Sequence, residues 1–364
     1  MADLILITCI SGAGYLRRAL PEAQTLIFDH RLVDGPIPAG GPPEDFFRYR
    51  RALYDADGLF YEDGQFTDVE PDENFPRSQR RWSTLPEACR DAERVILWID
   101  PDANAQLILI QLLDWLGHLP DILPKLWLKQ SESPTGEHRE GDWWLPPRPI
   151  LPADVALAQR AWDAFRAPTP ERWARLRHDP DLALLPGLPT AVERMLEELP
   201  DGTGLGASAR QLLRLVERPN WTDRTGKQGG TITYPPLPRS DRKTMKLMYR
   251  FVHSAPRRPL QQESHQLLCD LASAPHPAVS GTTEPHAGIA LMMDSARYMQ
   301  FRRAVLSWTD FGRRLVAGED DWSRHNPILH WWGGTRLTND TLWRWNPDTK
   351  TLLPPGPPSP PAFH

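Results

Sequence analysis

The stretch Leu4-Ile5-Leu6-Ile7-Thr8, followed almost at once by Ser11-Gly12-Ala13-Gly14, decides the fold class. An unbroken apolar and β-branched run without polar alternation reads as a strand buried on both faces, as in a parallel sheet. The glycine-bearing segment reads as a tight turn, after which Tyr15 to Leu20 takes a helical pattern that stops at Pro21. A second strand, Gln24 to Phe28, follows after a very short connection, with Asp29 and His30 at its end. Strand, turn, helix and strand begin a βαβ unit.

Outward from that unit, Glu44 to Tyr54 reads as a helix, and the acidic stretch Asp55 to Asn74 has no period. Arg94 to Asp100 repeats the first strand's pattern, and Asn104 to Leu116 is apolar on nearly every helical face, so that helix must be largely buried. Leu126-Trp127-Leu128 reads as a further strand, and Ser131 to Pro149 as a loop or linker. Helical segments follow over Ala153 to Arg166, Pro170 to His178, Thr190 to Leu199 and Ala207 to Glu217. Thr190 reads as an N-cap with Glu193 as its capping-box partner, and Thr169 precedes a proline suited to a first helical turn. Beyond the Gly/Thr/Pro-rich break at Asn220 to Pro238, helices are expected over Arg239 to Phe251 and Glu263 to Ala272, with a loop at His276 to Pro285. Val305 to Trp308 reads as a strand, and Thr309 then caps a helix that Gly318 ends. The finish from Gly333 to Leu353 reads as a small antiparallel meander.

The expected architecture is therefore an α/β N-terminal domain with a short, mostly parallel sheet (1–150), a helical middle (151–219), a winged-helix-like α+β domain (220–353) and a proline-rich tail (354–364). A length of 364 residues exceeds what one core usually serves, since single cores stop growing near ~250 to 300 residues. With 40% hydrophobic and 24% charged residues the chain has the apolar content of a folded protein. The 39 prolines keep its helices short. No apolar run approaches the roughly 18 residues of a membrane span, so no membrane partner is expected. Asp3 stands where a basic leader would be, and Cys9, Cys89 and Cys269 lie far apart without a CxxC, which together point to a cytoplasmic protein with reduced thiols.

Two places carry candidate chemistry. Ser11, Gly12 and Gly14 lie where a strand feeds a helix, the edge at which open parallel sheets bind ligands and free N–H groups attract anions. Asp29, His30 and Asp100 end strands on the same edge and offer acid–base groups, though Asp at a strand end is also an ordinary turn former. The segment is neither a Walker loop nor a GxSxG elbow. The second place is the C-terminal half, where residues 201–364 carry 21 Lys+Arg against 14 Asp+Glu, while the first 200 carry 21 against 33. Arg242, Lys246 and Arg250 repeat at i, i+4 and i+8, with Lys243 beside them, so they stripe one side of a helix. Arg336 sits on the later hairpin, and Arg313, Arg314 and Arg344 add to the excess. A helix followed by a hairpin is the skeleton of a winged helix, a module that binds nucleic acid or docks protein. The histidines, His253, His265, His276, His286, His325 and His330 among them, show no HExxH and no Cys/His pairing, so neither metal nor cofactor is expected.

The segment Cys9 to Leu16 with Phe28-Asp29-His30 and Gly35-Pro36-Ile37, then Arg94 to Asp100, resembles the N-terminal module of an uncharacterised family of bacterial proteins. Trp308 to Asp320 and Trp331-Trp332-Gly333-Gly334-Thr335-Arg336-Leu337-Thr338, running to Trp343-Arg344-Trp345, resemble the C-terminal module that accompanies it. That resemblance implies architecture and no particular activity. Two functions stand open. One is a regulator binding DNA through Arg242, Lys243, Lys246, Arg250 and Arg336, with an N-terminal domain that senses a small anion or a protein partner. The other is an enzyme acting on a phosphorylated or nucleotide-like molecule cradled by Ser11, Gly12 and Gly14, with Asp29 as base.

Overall fold

The computed structural model describes residues 2–8, 10–28, 30–41, 45–56, 78–130, 146–217, 243–254, 261–282, 284, 291 and 294–356. The chain divides into two compact units, Met1–Glu193 with His330–Leu337, and Arg194–Leu329 with Thr338–His364.

The first unit is built on a five-stranded sheet of order β2-β1-β3-β4-β5. Its strands are β1 (Leu4–Ile7), β2 (Gln24–Ile27), β3 (Val95–Ile99), β4 (Leu126–Gln130) and β5 (Arg148–Pro149). The first four are parallel, with Leu4 opposite both Gln24 and Val95 and Val95 opposite Leu126, while β5 runs antiparallel along β4. β1 is buried throughout, as a strand enclosed on both faces must be. Helix α1 (Ile10–Ala19) joins β1 to β2, so the expected glycine turn is instead the opening of a helix. Ser11, Gly12 and Gly14 take helical backbone there. Gly14 is not in the left-handed region, and a Cβ on it would meet nothing within 4 Å.

Helices α2 (Phe46–Ala56), α3 (Ser78–Asp91) and α4 (Ala103–Leu116) follow. α3 was not foreseen; Pro86 inside it interrupts the pattern that would have announced a helix. α4 is buried nearly throughout, as its apolar composition requires, and Asp102 caps it by accepting from the Ala105 N–H at 3.1 Å. It packs on α5 (Pro152–Phe165), which leads to α6 (Glu171–Leu176) and α7 (Leu188–Glu197). Thr190 lies inside α7 and not at its N-cap, and Glu193 pairs with Arg177 at 2.6 Å. Thr169 donates its hydroxyl to Glu171, and the helix starts one residue after Pro170.

Residues 330–337 complete this unit from far along the chain. Gly334 donates its N–H to the Phe165 carbonyl at 2.9 Å, Gly333 accepts from the Ile37 N–H at 2.9 Å, and Thr335 donates its hydroxyl to Ala167 O at 3.2 Å. Trp332, 1% exposed, packs against Phe165 and Trp173 with ring centroids 5.4 and 6.2 Å away. The backbones approach so closely that glycine is obligatory: a Cβ on Gly334 would lie 2.0 Å from Arg166 O.

The second unit gathers α8 (Ala207–Glu217), α9 (Thr244–Ser254), α10 (Gln261–Ser273), β6 (Val279–Ser280), α11 (Ser295–Arg303), β7 (Ser307–Trp308) and α12 (Asp310–Ala317). α8, α9 and α10 pack on one another, and α11 packs on α9. Their shared core includes Leu212, Val216, Leu247, Phe251, Leu268, Phe301 and Leu306. β6 and β7 pair antiparallel, and Lys243 forms an antiparallel bridge to Val305 just before β7. α11 was not foreseen, its Arg-rich sequence showing little apolar stripe. Thr309 caps α12 by accepting from the Gly312 N–H at 3.0 Å, and Gly318 ends it at φ 75°. The expected meander is two separate two-stranded sheets, β8 (Leu329–Trp332) with β9 (Thr335–Thr338), and β10 (Arg344–Asn346) with β11 (Thr351–Leu353). The tethers differ: the glycine turn is held by Phe165, whereas Trp345 donates its N–H to Pro200 O at 2.9 Å. Among the described residues no helix is long and apolar enough to cross a membrane. The tail beyond residue 356, the break at 220–238 and most of the acidic stretch lie outside the described residues.

Glycine substitutions discriminate these backbone assignments. Gly334→Ala is expected to lower the unfolding free energy by about 1 to 3 kcal/mol through overpacking, whereas Gly14→Ala, in an open helical position, raises it by about 0.5 to 1 kcal/mol. Urea unfolding of both variants checks this, and equal effects would contradict the assignment.

Candidate functional site

At the C-terminal edge of the parallel strands, the side chains form a hydrogen-bond network dominated by neutral amides. Thr8 donates to Asp100 at 3.4 Å, and the Asp100 carbonyl accepts from Gln106 at 2.7 Å. Gln106 in turn accepts from Gln130 at 3.0 Å. Asn104 accepts from the Leu32 N–H at 2.7 Å and donates to the His30 carbonyl at 3.0 Å, which pins the segment after β2. His30 is buried; its Nε2 meets Gln111 at 2.9 Å, and its ring packs edge-on against Phe47 at 5.3 Å. His30 and Asp100 are thus held by different partners. Asp29 lies outside the described residues, as does the Ser11 side chain. Cys89 and Cys269 are buried, and burial pushes both thiols up to about 12, so neither is a ready nucleophile. Among the described residues no three His, Cys, Asp or Glu side chains converge as a metal site.

In the second unit Arg297 of α11 pairs with Glu284 at 2.7 Å, and two further groups of cations bear on function. Arg313 pairs with Asp310, Arg314 with Asp320 at 3.0 Å, and Arg344 with Asp321 at 2.7 Å, so these arginines are internally neutralised. Asp320 is held down at about 2: partial desolvation opposes this, but the Asp321 N–H, His325 and Arg314 outweigh it. The other group lies along α9 and α11. Lys243 and Lys246 are exposed at the start of α9, and Arg302 and Arg303 end α11. Thr244 donates its N–H to the Ala304 carbonyl at 3.0 Å, and Arg302 contacts Met245 Sδ, so the two segments lie side by side. No carboxylate lies within ion-pairing distance of Lys243, Arg302 or Arg303 among the described residues. The sequence explains this, because 243–262 and 295–309 contain no Asp or Glu. Met245, Met299 and Val305 are exposed in the same segments at 47%, 39% and 37%.

Of the residues expected to bind nucleic acid, Lys243 and Lys246 belong to this surface. Arg242 and the Arg250 side chain lie outside the described residues, and Arg336 is exposed on β9 in the first unit. Arg302 and Arg303 were missed; the signal that finds them is the absence of acids from 295–309. No protein-family model matches the chain, and a search of the curated proteins finds no match.

Behind this surface His265, 2% exposed on α10, packs edge-on against Phe301 at 5.3 Å and Tyr298 at 6.1 Å. Burial, reinforced by Arg302, lowers its pKa from 6.5 to about 4. The unfolded chain takes up this proton near pH 6.5 and the folded chain only near 4, so stability is complete above 6.5 and falls as pH drops towards 4. This single group accounts for about 3 kcal/mol at most, at roughly 1.4 kcal/mol per pH unit. Urea midpoints measured from pH 7 to pH 4 should fall less steeply for His265→Gln than for the parent; parallel curves would contradict it.

Proposed function

We propose that the second unit contains a winged-helix-like module that binds nucleic acid through phosphate contacts, and that the protein is a regulator. The chain order supports the reading in part: helix α8, the Lys243 bridge, helices α9 and α10, then β6, α11 and β7, with Lys243 bridged to Val305 two residues before β7. A winged helix runs helix, strand, two helices and a two-stranded wing, and α11 would here stand between the two wing strands. In such a module α10 would be the recognition helix, a role the sequence suggests for α9, and β6 and β7 would be the wing strands.

The observation that carries the function is the juxtaposition of Lys243, Lys246, Arg302 and Arg303 on two segments whose own sequences contain no Asp or Glu. Cations gathered over a common area release counterions from a phosphate backbone and give affinity without reading sequence. α10 exposes Asp270, hydrogen-bonded to Gln266 at 2.8 Å, and an acid there opposes close docking of that helix against phosphates. The expected binding is therefore weakly sequence-selective. The N-terminal α/β domain serves in this reading as the sensor of a small ligand.

Fluorescence anisotropy with short duplexes of unrelated sequence tests it. Affinities should agree to within about threefold across sequences and fall steeply from about 50 to 200 mM salt. Reversing both charges, Lys243→Glu with Lys246→Glu, should weaken binding at least about tenfold and reduce the salt slope by about 2. Salt-insensitive binding, or binding unaffected by the double reversal, would refute the proposal.

A further inference from the structure

The geometry points to a small-oxyanion site in the first unit, in an open groove of about 490 Å3 lined by Asp163, Arg166, Thr169 and Arg172 with Ala39 and Pro168 as apolar walls. The inference concerns the first unit alone and is independent of the nucleic-acid reading.

Two guanidinium groups line the groove. Arg172 is exposed, and no carboxylate pairs with it among the described residues. Arg166 is only 21% exposed; its guanidinium lies 5.8 Å from the Trp162 ring centroid, a contact that holds the planar fork in place before any ligand arrives. Its partner is Asp163, three residues earlier on α5 and 56% exposed, and its buried Nε–H has no acceptor. An exposed i,i+3 pair of this kind is worth little and is exchanged readily for a stronger anion. Arg166 therefore holds its exposed counterion weakly, with the half-buried Asp114 of α4 also acting on it, and Arg172, which has no carboxylate partner among the described residues, stands on the same groove. The pair of forks suits a phosphate or carboxylate group, which each can meet with two parallel N–H bonds.

The backbone of the groove is unusually fixed. The Phe165 and Ala167 carbonyls, on either side of Arg166, accept from Gly334 N–H and Thr335 hydroxyl. Of these, the Phe165 carbonyl would otherwise add to the negative end of α5. With them occupied, the cationic side chains set the field. The Trp332-Gly333-Gly334-Thr335 turn thus acquires a role beyond packing, since it clamps the segment that carries Arg166.

Isothermal titration calorimetry of the full chain at low salt, with inorganic pyrophosphate and with citrate as separate probes, tests the site. Binding of either probe is expected; which one binds more tightly identifies phosphate or carboxylate as the preferred group. Arg172→Glu, a surface change that leaves the fold intact, should weaken that binding at least about tenfold, and Arg166→Lys, which keeps the charge and loses the fork, by several-fold. Lys246→Glu should leave it unchanged, which separates this groove from the cationic surface of the second unit. Binding of neither probe, or binding equally strong in Arg172→Glu, would overturn the inference.

Discussion

A short backbone bridge organises the second unit: Lys243 pairs with Val305, and Thr244 donates its N–H to Ala304 at 3.0 Å. It joins positions sixty residues apart in the chain. Because backbone donors near a buried core must be satisfied, the start of α9 and the end of α11 have little freedom to separate. Phe301, Leu306 and Leu247 fill the space beneath, and the side chains left outside are Lys243, Lys246, Arg302 and Arg303. The bridge thereby turns two acid-free segments into one charged surface. Neither segment alone would hold cations at the density that attracts a phosphate backbone.

The first unit rests on a comparable economy of backbone contacts. Its parallel sheet reverses strand order between β1 and β3, and the edge there is occupied by Gln106, Gln130, Asn104 and His30, which pair with one another or with main chain. Two arginines lie instead at the end of α5, where Arg166 and Arg172 line the groove and the 333–335 turn holds the main chain. Hydrogen-bond accounting leaves one buried atom without a partner in each place, Gln130 Oε1 at the sheet edge and Arg166 Nε beside the groove.

Much of the fold was legible. The uninterrupted apolar runs at 4–7 and 95–99 announced buried parallel strands, the segment 104–116, apolar on nearly every helical face, announced a buried helix, and Thr309 with Gly318 marked both ends of α12. The misses have physical causes. Pro86 hid α3, and the polar face of α11 hid a helix anchored chiefly by Phe301. The glycines of α1 looked like a turn because composition cannot tell a glycine that needs a left-handed backbone from one that does not. The separation of the two C-terminal hairpins depended on tethers to Phe165 and Pro200, contacts between distant positions that no local pattern carries. The candidate site was half legible for the same reason. The Lys243 and Lys246 spacing is local, but their neighbourhood with Arg302 and Arg303 is set by the bridge.

Hydrogen–deuterium exchange of the full chain with and without a duplex of random sequence addresses the central claim most directly. The account predicts slowed amide exchange confined to 243–248 and 298–305 in the presence of DNA, reversed by raising salt. Protection that falls elsewhere, or none at duplex concentrations that saturate anisotropy, would contradict it.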